Sequence, residues 1–101
     1  MTKQEIQKQL RLALKKSPYQ GNVRRVSLFG SHAHGNANEQ SDIDLLIEFY
    51  RPMSMLKLVH MESDFSEALG KKVDLCTPMS LSKYFRSDVL RDARPIFEAV
   101  A

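Results

Sequence analysis

The sequence has 101 residues, of which 43% are hydrophobic and 27% are charged, and its formal net charge is +3. This length predicts one domain, residues 1–101, around a single core, and no apolar stretch approaches the roughly 20 residues of a membrane helix. The single cysteine excludes an internal disulfide. We therefore expect a cytoplasmic protein with no membrane association. The small positive charge permits an anionic partner, but nothing indicates direct nucleic-acid binding.

Two elements are predicted before residue 31. Thr2 and Glu5 have the spacing of a helix capping box, which predicts a helix from about residue 3 to 16. Apolar residues at helical intervals support that helix: Ile6, Leu10, Ala13 and Leu14. The segment "VRRVSLF", residues 23–29, alternates polar and apolar positions and predicts a strand that ends at Gly30.

The middle of the chain predicts a strand, a helix and a further strand. The segment "DIDLLIEF", residues 42–49, alternates in the manner of a strand whose entrance is polar on one face. Ser54 can cap the following helix and Gly70 can end it, with apolar residues between them at the helical period. Glu62 is the polar exception in that apolar stripe. The segment "KVDLC", residues 72–76, predicts a short third strand.

The C-terminal quarter predicts more helix and one last strand. Thr77 followed by Pro78 is typical of a helix start. Residues 80–93 are predicted to be helical with a break near Ser87, and "PIFEAV", residues 95–100, predicts a final short strand. The order of these elements predicts an α/β fold with a small mixed β-sheet flanked by helices.

Two aspartates lie at the entrance of the second predicted strand. Because successive strand side chains point to opposite faces, Asp42 and Asp44 lie on the same face, about 6.5 to 7 Å apart at the backbone. Two carboxylates at this distance repel each other unless a cation lies between them. Oxygen ligands of this kind suit Mg²⁺ or Mn²⁺, whose coordination is often completed by substrate phosphates. The alternative is a solvated strand entrance without metal, since this short motif is common by chance.

Gly30 and Ser31 follow the first predicted strand and suggest a phosphate-binding turn. Glycine lets the backbone approach a ligand, and Ser31 can begin a helical turn whose free N–H groups attract phosphate oxygens. Asp74, which alternates with apolar neighbours in the third strand, faces either solvent or the same site. An anion-binding turn, a carboxylate pair and a third acid together predict phosphoryl or nucleotidyl transfer with two metal ions. In that reaction Asp74 would hold the second metal or accept the proton of the attacking hydroxyl.

The spacing of these residues resembles a known family. Gly30 and Ser31, ten further residues, and then Asp42-x-Asp44 reproduce the G-S-x10-D-x-D signature of the DNA polymerase β-like nucleotidyltransferases. The segment "GSHAHGNANEQSDIDLLIEF" is most similar to the minimal nucleotidyltransferases of bacteria and archaea, and the resemblance extends to about Pro95. It implies the polymerase β-like fold in a single minimal domain.

The resemblance also implies a role for each of these residues. Asp42 and Asp44 would be catalytic metal ligands, and Asp74 would be the third catalytic and metal-binding carboxylate. Gly30 and Ser31 would bind the phosphates of the nucleotide. The expected cofactor is Mg²⁺, with two ions, and the expected substrate is ATP.

Members of the family are commonly encoded beside a HEPN-domain RNase toxin, which they neutralise by transferring AMP from ATP to a tyrosine. The resemblance therefore implies an antitoxin with a HEPN-domain partner. Two alternatives stay open: an antitoxin that inhibits the toxin by binding alone, and nucleotidyl transfer to a small molecule.

One departure from the family pattern concerns the phosphate-binding turn. Family members often carry arginines in "GSRARG", whereas this chain has His32 and His34 at those positions. Neutral imidazoles would bind a triphosphate less well than arginine, or would favour lower pH, because histidine titrates near pH 6.5. A metal-binding role for the two histidines is the less favoured interpretation, because no third nitrogen or sulfur ligand lies nearby in the sequence.

Overall fold

The structure is a computed structural model that describes residues 1–30 and 41–99. Within these ranges the elements are, in chain order, α1 (Lys3–Lys16), β1 (Val23–Phe29), β2 (Ile43–Phe49), α2 (Met55–Leu69), β3 (Val73–Cys76), α3 (Arg86–Asp92) and β4 (Arg94–Glu98). Short 3₁₀ turns at Gln20–Asn22 and Pro78–Ser80 precede β1 and follow β3. No helix in the described ranges is long and apolar enough to cross a membrane.

The four strands form one sheet in the order β3-β2-β1-β4. β1 is antiparallel to both β2 and β4, whereas β2 and β3 are parallel, so the sheet is mixed as expected. Two parallel neighbours need a crossover connection, and α2 supplies it between β2 and β3. α2 packs against α1 and β3, and this arrangement covers one face of the sheet with helices.

The ends of α1 and α2 are fixed by local hydrogen bonds that the sequence predicts. The Thr2 hydroxyl accepts a hydrogen bond from the Glu5 N–H at 3.1 Å, and Glu5 Oε1 accepts one from the Thr2 N–H at 3.2 Å. Ser54 caps α2 by accepting from the Lys57 N–H at 3.2 Å. Gly70 ends α2 with φ 68°, a left-handed conformation that favours glycine.

The core lies between the sheet and the two long helices. α1 contributes Ile6, Leu10 and Leu14, and α2 contributes Met61, Phe65 and Leu69. The sheet contributes the apolar positions of each strand: Val23, Val26, Leu28, Ile43, Leu45, Ile47, Val73, Leu75 and Ile96. Asp44 and Asp74 alternate with these buried residues and therefore point to the opposite face of the sheet.

The helix predicted after β3 was wrong in two respects, namely where it begins and where it breaks. The helix at Thr77–Pro78 is a 3₁₀ turn that ends at Ser80, and α3 begins at Arg86, so it includes Ser87 instead of breaking there. The guanidinium of Arg86 donates hydrogen bonds to the carbonyls of Pro78 at 2.8 Å and Leu81 at 3.0 Å. A continued helix would use those carbonyls itself, so the Arg86 side chain, from five and eight residues further along the chain, replaces the helical hydrogen bonds that the local sequence favours. The final strand is confirmed as β4.

Candidate active site

The sheet brings Gly30, Asp44 and Asp74 together from three separate segments of the chain. Phe29, the last residue of β1, pairs with Asp44 of β2, and Asp44 pairs in register with Asp74 of β3. Neighbouring strands lie about 4.8 Å apart, so paired residues place their side chains side by side on one face. Asp42 lies just before β2 and is exposed. The sequence left open whether Asp74 faces solvent or the other aspartates, and the register places it beside Asp44.

Gly30 lies directly against the Asp44 carboxylate. Its φ is 71°, and a Cβ built on it would lie 3.2 Å from Cγ and 3.4 Å from Cβ of Asp44, with Oδ2 closer still. An L-residue is strained at this φ, and any side chain would enter the space that Asp44 occupies. The end of β1 thus requires glycine because the backbone turns there and passes close to the Asp44 carboxylate.

Negative charge accumulates at this end of the sheet. The pKa of Asp44 is raised above its usual value, first by partial burial and then by the nearby charges of Asp74 and Asp42. Lys72 Nζ lies 3.9 Å from Asp42 Oδ2, but both side chains are largely solvated and the pair offsets little of that repulsion. A bound cation would relieve the repulsion directly.

The aspartate carboxylates at this end of the sheet are oxygen ligands that suit a hard cation, but few of them lie close together. In residues 1–30 and 41–99, no group of three histidine, cysteine, aspartate or glutamate side chains is arranged to hold a metal ion. The carboxylates that lie side by side are those of Asp44 and Asp74, with Asp42 two residues before Asp44. Mg²⁺ commonly takes one or two protein carboxylates and completes its octahedron with waters and substrate phosphates, so this set fits Mg²⁺.

Three residues named from the sequence lie outside the described residues: Ser31, His32 and His34. Of the two residues of the predicted phosphate-binding turn, the structure therefore describes Gly30 alone. The role of Ser31 and the consequence of histidine in place of arginine stay predictions.

Cys76 is a neighbour of the site that the sequence did not mark as functional. It lies two residues after Asp74 on the same face of β3. The pKa of its thiol is raised by partial burial and by the charges of Asp44, Asp74 and Glu62. A raised pKa keeps the thiol protonated at neutral pH, so Cys76 is a poor nucleophile here.

Glu62 has a role that its place in the apolar stripe of α2 could have indicated. Its Oε2 accepts a hydrogen bond of 2.8 Å from the Leu75 N–H in β3. One helical turn later, the Ser66 hydroxyl accepts one of 3.0 Å from the Val73 N–H. Two polar side chains of α2 therefore hold the backbone on either side of Asp74. The polar residue in an apolar pattern is the sequence signal, but its partner is visible only in the structure.

A surface cleft of about 500 Å³ lies near the other end of β2. Its lining includes Glu48, Phe49, Arg51, Pro78 and Met79, and none of the three aspartates. The volume is in the range of small-molecule sites. The concentration of carboxylates, and not this cleft, locates the candidate chemistry.

The sequence model of the nucleotidyltransferase domain family matches residues 7–96. This chain belongs to that family. Among curated members, the protein adenylyltransferase MntA of Thermococcus cleftensis is 35% identical over 92 residues, which cover 91% of this chain and 93% of that protein. A protein of Methanocaldococcus jannaschii that carries the provisional name protein adenylyltransferase is 38% identical over 92 residues, or 90% of this chain and 94% of that protein. The expected enzyme class, nucleotidyltransferase, is confirmed.

Solved structures confirm the fold of this nucleotidyltransferase. A provisionally named minimal nucleotidyltransferase superposes with a TM-score of 0.78 and 30% identity, covering 94% of this chain and 96% of that one. The complex described as a tri-AMPylated Shewanella oneidensis HEPN toxin with its MNT antitoxin matches with a TM-score of 0.70 and 19% identity, covering 98% of this chain and 74% of that one. At that identity the second match supports the fold alone. The minimal nucleotidyltransferase resemblance expected from the sequence is confirmed.

Proposed function

We propose that this nucleotidyltransferase is a Mg²⁺-dependent antitoxin that transfers AMP from ATP to a tyrosine of a cognate HEPN-domain toxin. Residues 1–101 would act as a single minimal nucleotidyltransferase domain, in the cytoplasm, where ATP is abundant. The observation that carries the proposal is the in-register pairing of Asp44 with Asp74 beside the glycine turn that ends β1. That arrangement would join an anion-binding turn to carboxylates that can bind metal, as nucleotidyl transfer requires.

Each residue of the site would have a defined role in this reaction. Asp42 and Asp44 would bind Mg²⁺, and Asp74 would complete the site and accept the proton of the tyrosine hydroxyl. Gly30 and Ser31 would hold the phosphates through backbone N–H groups and the serine hydroxyl. Bound Mg²⁺ would neutralise the triphosphate and lower the pKa of the attacking hydroxyl.

The proposed reaction is a single displacement at the α-phosphorus of ATP. The tyrosine oxygen forms a bond to that phosphorus as its proton passes to Asp74, and the bond to the bridging oxygen of the β-phosphate breaks. Diphosphate leaves with the electron pair of that bond. The crowded negative charge around Asp44 favours this role, because only a cation allows an anionic triphosphate to approach it.

The choice of a protein acceptor rests on the relatives. The curated relative from Thermococcus cleftensis is named a protein adenylyltransferase, and the Shewanella oneidensis complex pairs an MNT antitoxin with an AMPylated HEPN toxin. A further solved toxin–antitoxin complex contains the ATP analogue AMP-PNP, with a TM-score of 0.76 and 20% identity over 92% of this chain and 73% of that one. ATP is therefore the nucleotide that we propose.

Intact-mass spectrometry tests the proposal. The protein encoded beside this chain is incubated with the chain, ATP and Mg²⁺, in parallel with a double variant that combines Asp42→Asn and Asp44→Asn. We expect mass gains in whole AMP units with the wild-type chain and none with the double variant. Peptide mapping then assigns the modified residue, which we expect to be a tyrosine.

Other outcomes of that experiment discriminate the alternatives. Equal transfer by the wild-type chain and the double variant would refute the assignment of the aspartates. A tight complex with no mass gain would mean that the chain inhibits by binding alone. No complex and no mass gain, combined with turnover of a hydroxylated small molecule, would favour a small-molecule acceptor.

A further inference from the structure

β3, the strand that carries Asp74, lies at the edge of the sheet and pairs on one side only, with β2. An edge strand leaves every second backbone N–H without a partner in the sheet. On β3 these are the N–H groups of Val73 and Leu75, the two neighbours of Asp74. Both are bound by side chains of α2: Val73 by Ser66 Oγ at 3.0 Å and Leu75 by Glu62 Oε2 at 2.8 Å.

The geometry of α2 matches this edge closely. Residues 62 and 66 are one helical turn apart, about 6 Å along the axis. Residues 73 and 75 are two strand positions apart, about 6.6 Å. The helix runs antiparallel to the strand, so Ser66 meets Val73 and Glu62 meets Leu75. The Ser66 hydroxyl also donates to the Glu62 carbonyl at 2.9 Å, which directs its lone pairs toward the Val73 N–H.

The hydrogen bond that Glu62 accepts from Leu75 is the stronger of the two because its acceptor is a carboxylate. Hydrogen bonds to a charged acceptor are shorter and about twice as strong as those between neutral groups. Glu62 and Leu75 are partly or fully shielded from solvent, which strengthens the bond further. Leu75 follows Asp74 directly, so a shift of its amide would also shift the Asp74 carboxylate relative to Asp44.

We propose that Glu62 is a positioning residue of the active site, which ties β3 to α2 through the Leu75 amide and so fixes the position of Asp74 opposite Asp44. This inference rests on the proposed function, since it assigns Glu62 a part in the same reaction. Glu62 would not touch the substrate. Its effect would pass through the backbone of β3.

Two variants separate the effect of the side-chain length of Glu62, which sets its reach to the Leu75 amide, from the effect of its charge. Glu62→Gln keeps the side-chain length and an acceptor oxygen but removes the charge. Glu62→Asp keeps the charge but shortens the side chain by one methylene, so the carboxylate no longer reaches the Leu75 amide. The matched control is Glu67→Asp, at an exposed position of the same helix.

Two readouts are measured on the full chain: amide hydrogen exchange of Leu75 by NMR, and kcat and KM for AMP transfer to the partner protein with Mg²⁺. For Glu62→Asp we expect Leu75 exchange to accelerate about tenfold and kcat to fall by about 10- to 100-fold, as small misplacements of catalytic groups do. The KM for ATP should change less than about threefold. Glu62→Gln keeps the hydrogen bond but weakens it by removing the charge, so both effects should be clearly smaller than in Glu62→Asp. Glu67→Asp should match the wild type.

Each departure from this pattern has a distinct meaning. Faster Leu75 exchange in Glu62→Asp with an unchanged kcat would overturn the inference, because Glu62 would then hold the strand without affecting the chemistry. Loss of activity in Glu62→Gln with retention in Glu62→Asp would also overturn it, since the charge would then matter and not the reach. A wild-type chain that transfers no AMP would instead refute the proposed function itself.

Discussion

Replacing Gly30 with alanine tests the close approach of β1 to the Asp44 carboxylate. The substitution adds a Cβ at φ 71°, a conformation that costs an L-residue about 1–2 kcal/mol. The new atom would also lie 3.2 Å from Cγ of Asp44 and closer to Oδ2, so it adds the strain of an overpacked contact, about 1–3 kcal/mol. We therefore expect Gly30→Ala to lower the free energy of unfolding by about 2–5 kcal/mol.

Two other glycines of the described chain provide matched controls. Gly70 has φ 68° with no atom within 4 Å of its built Cβ, so Gly70→Ala carries the backbone cost without the contact. Gly21 has neither the positive φ nor a neighbour within 4 Å, so Gly21→Ala should change stability by less than about 0.5 kcal/mol. The difference between Gly30→Ala and Gly70→Ala measures the contact with Asp44 alone.

Urea unfolding followed by circular dichroism measures these free energies, and the AMP-transfer assay measures how the substitution affects kcat. We expect Gly30→Ala to lower kcat by about 100-fold, because the carboxylate must move to make room for the methyl group. Gly70→Ala should leave kcat within about twofold of the wild type, since the residue lies outside the site. Equal stability losses for Gly30→Ala and Gly70→Ala, with transfer retained in both, would refute the reasoning.

Three further predictions follow from single sites. The pKa of Asp44 is raised in the folded chain, so its ionisation opposes folding at pH values above that pKa. Asp44→Asn should therefore raise the free energy of unfolding at pH 7. That gain in stability should fade as the pH falls toward the pKa of an unfolded aspartate, about 3.9. A variant whose gain persists at pH 3 would contradict this origin, as measured by urea titrations at several pH values. His32→Arg should not lower ATP affinity, because a permanent positive charge binds triphosphate at least as well as neutral imidazole. A clear loss of ATP affinity in a calorimetric titration would count against the prediction that residue 32 faces the phosphates. Ser54→Ala should destabilise the chain by about 1 kcal/mol through loss of the α2 N-cap, while Ser63→Ala at an exposed position inside α2 should be nearly neutral in thermal unfolding.

Local sequence determined where most elements begin and end. The caps at Thr2, Ser54 and Gly70 act over four residues or fewer, so the pattern alone was sufficient to place α1 and α2. Strand alternation likewise predicted that Asp42 and Asp44 share a face. The same reasoning failed after Thr77, because the helix signal of Thr77 and Pro78 competes with side-chain hydrogen bonds from Arg86, which lies outside the few residues that carry the signal.

The tertiary structure decided how the separate pieces of the site meet. Asp44 and Asp74 are 30 positions apart in the chain, and only the parallel register of β2 with β3 makes them neighbours. The contact of Gly30 with Asp44, and the hold of Glu62 on the strand beside Asp74, depend on the same long-range packing. Periodicity and capping are properties of a few consecutive residues, whereas register is set by the burial of a whole face and by hydrogen bonds across the sheet. The sequence therefore determined which carboxylates were available, and the fold decided which of them lie side by side.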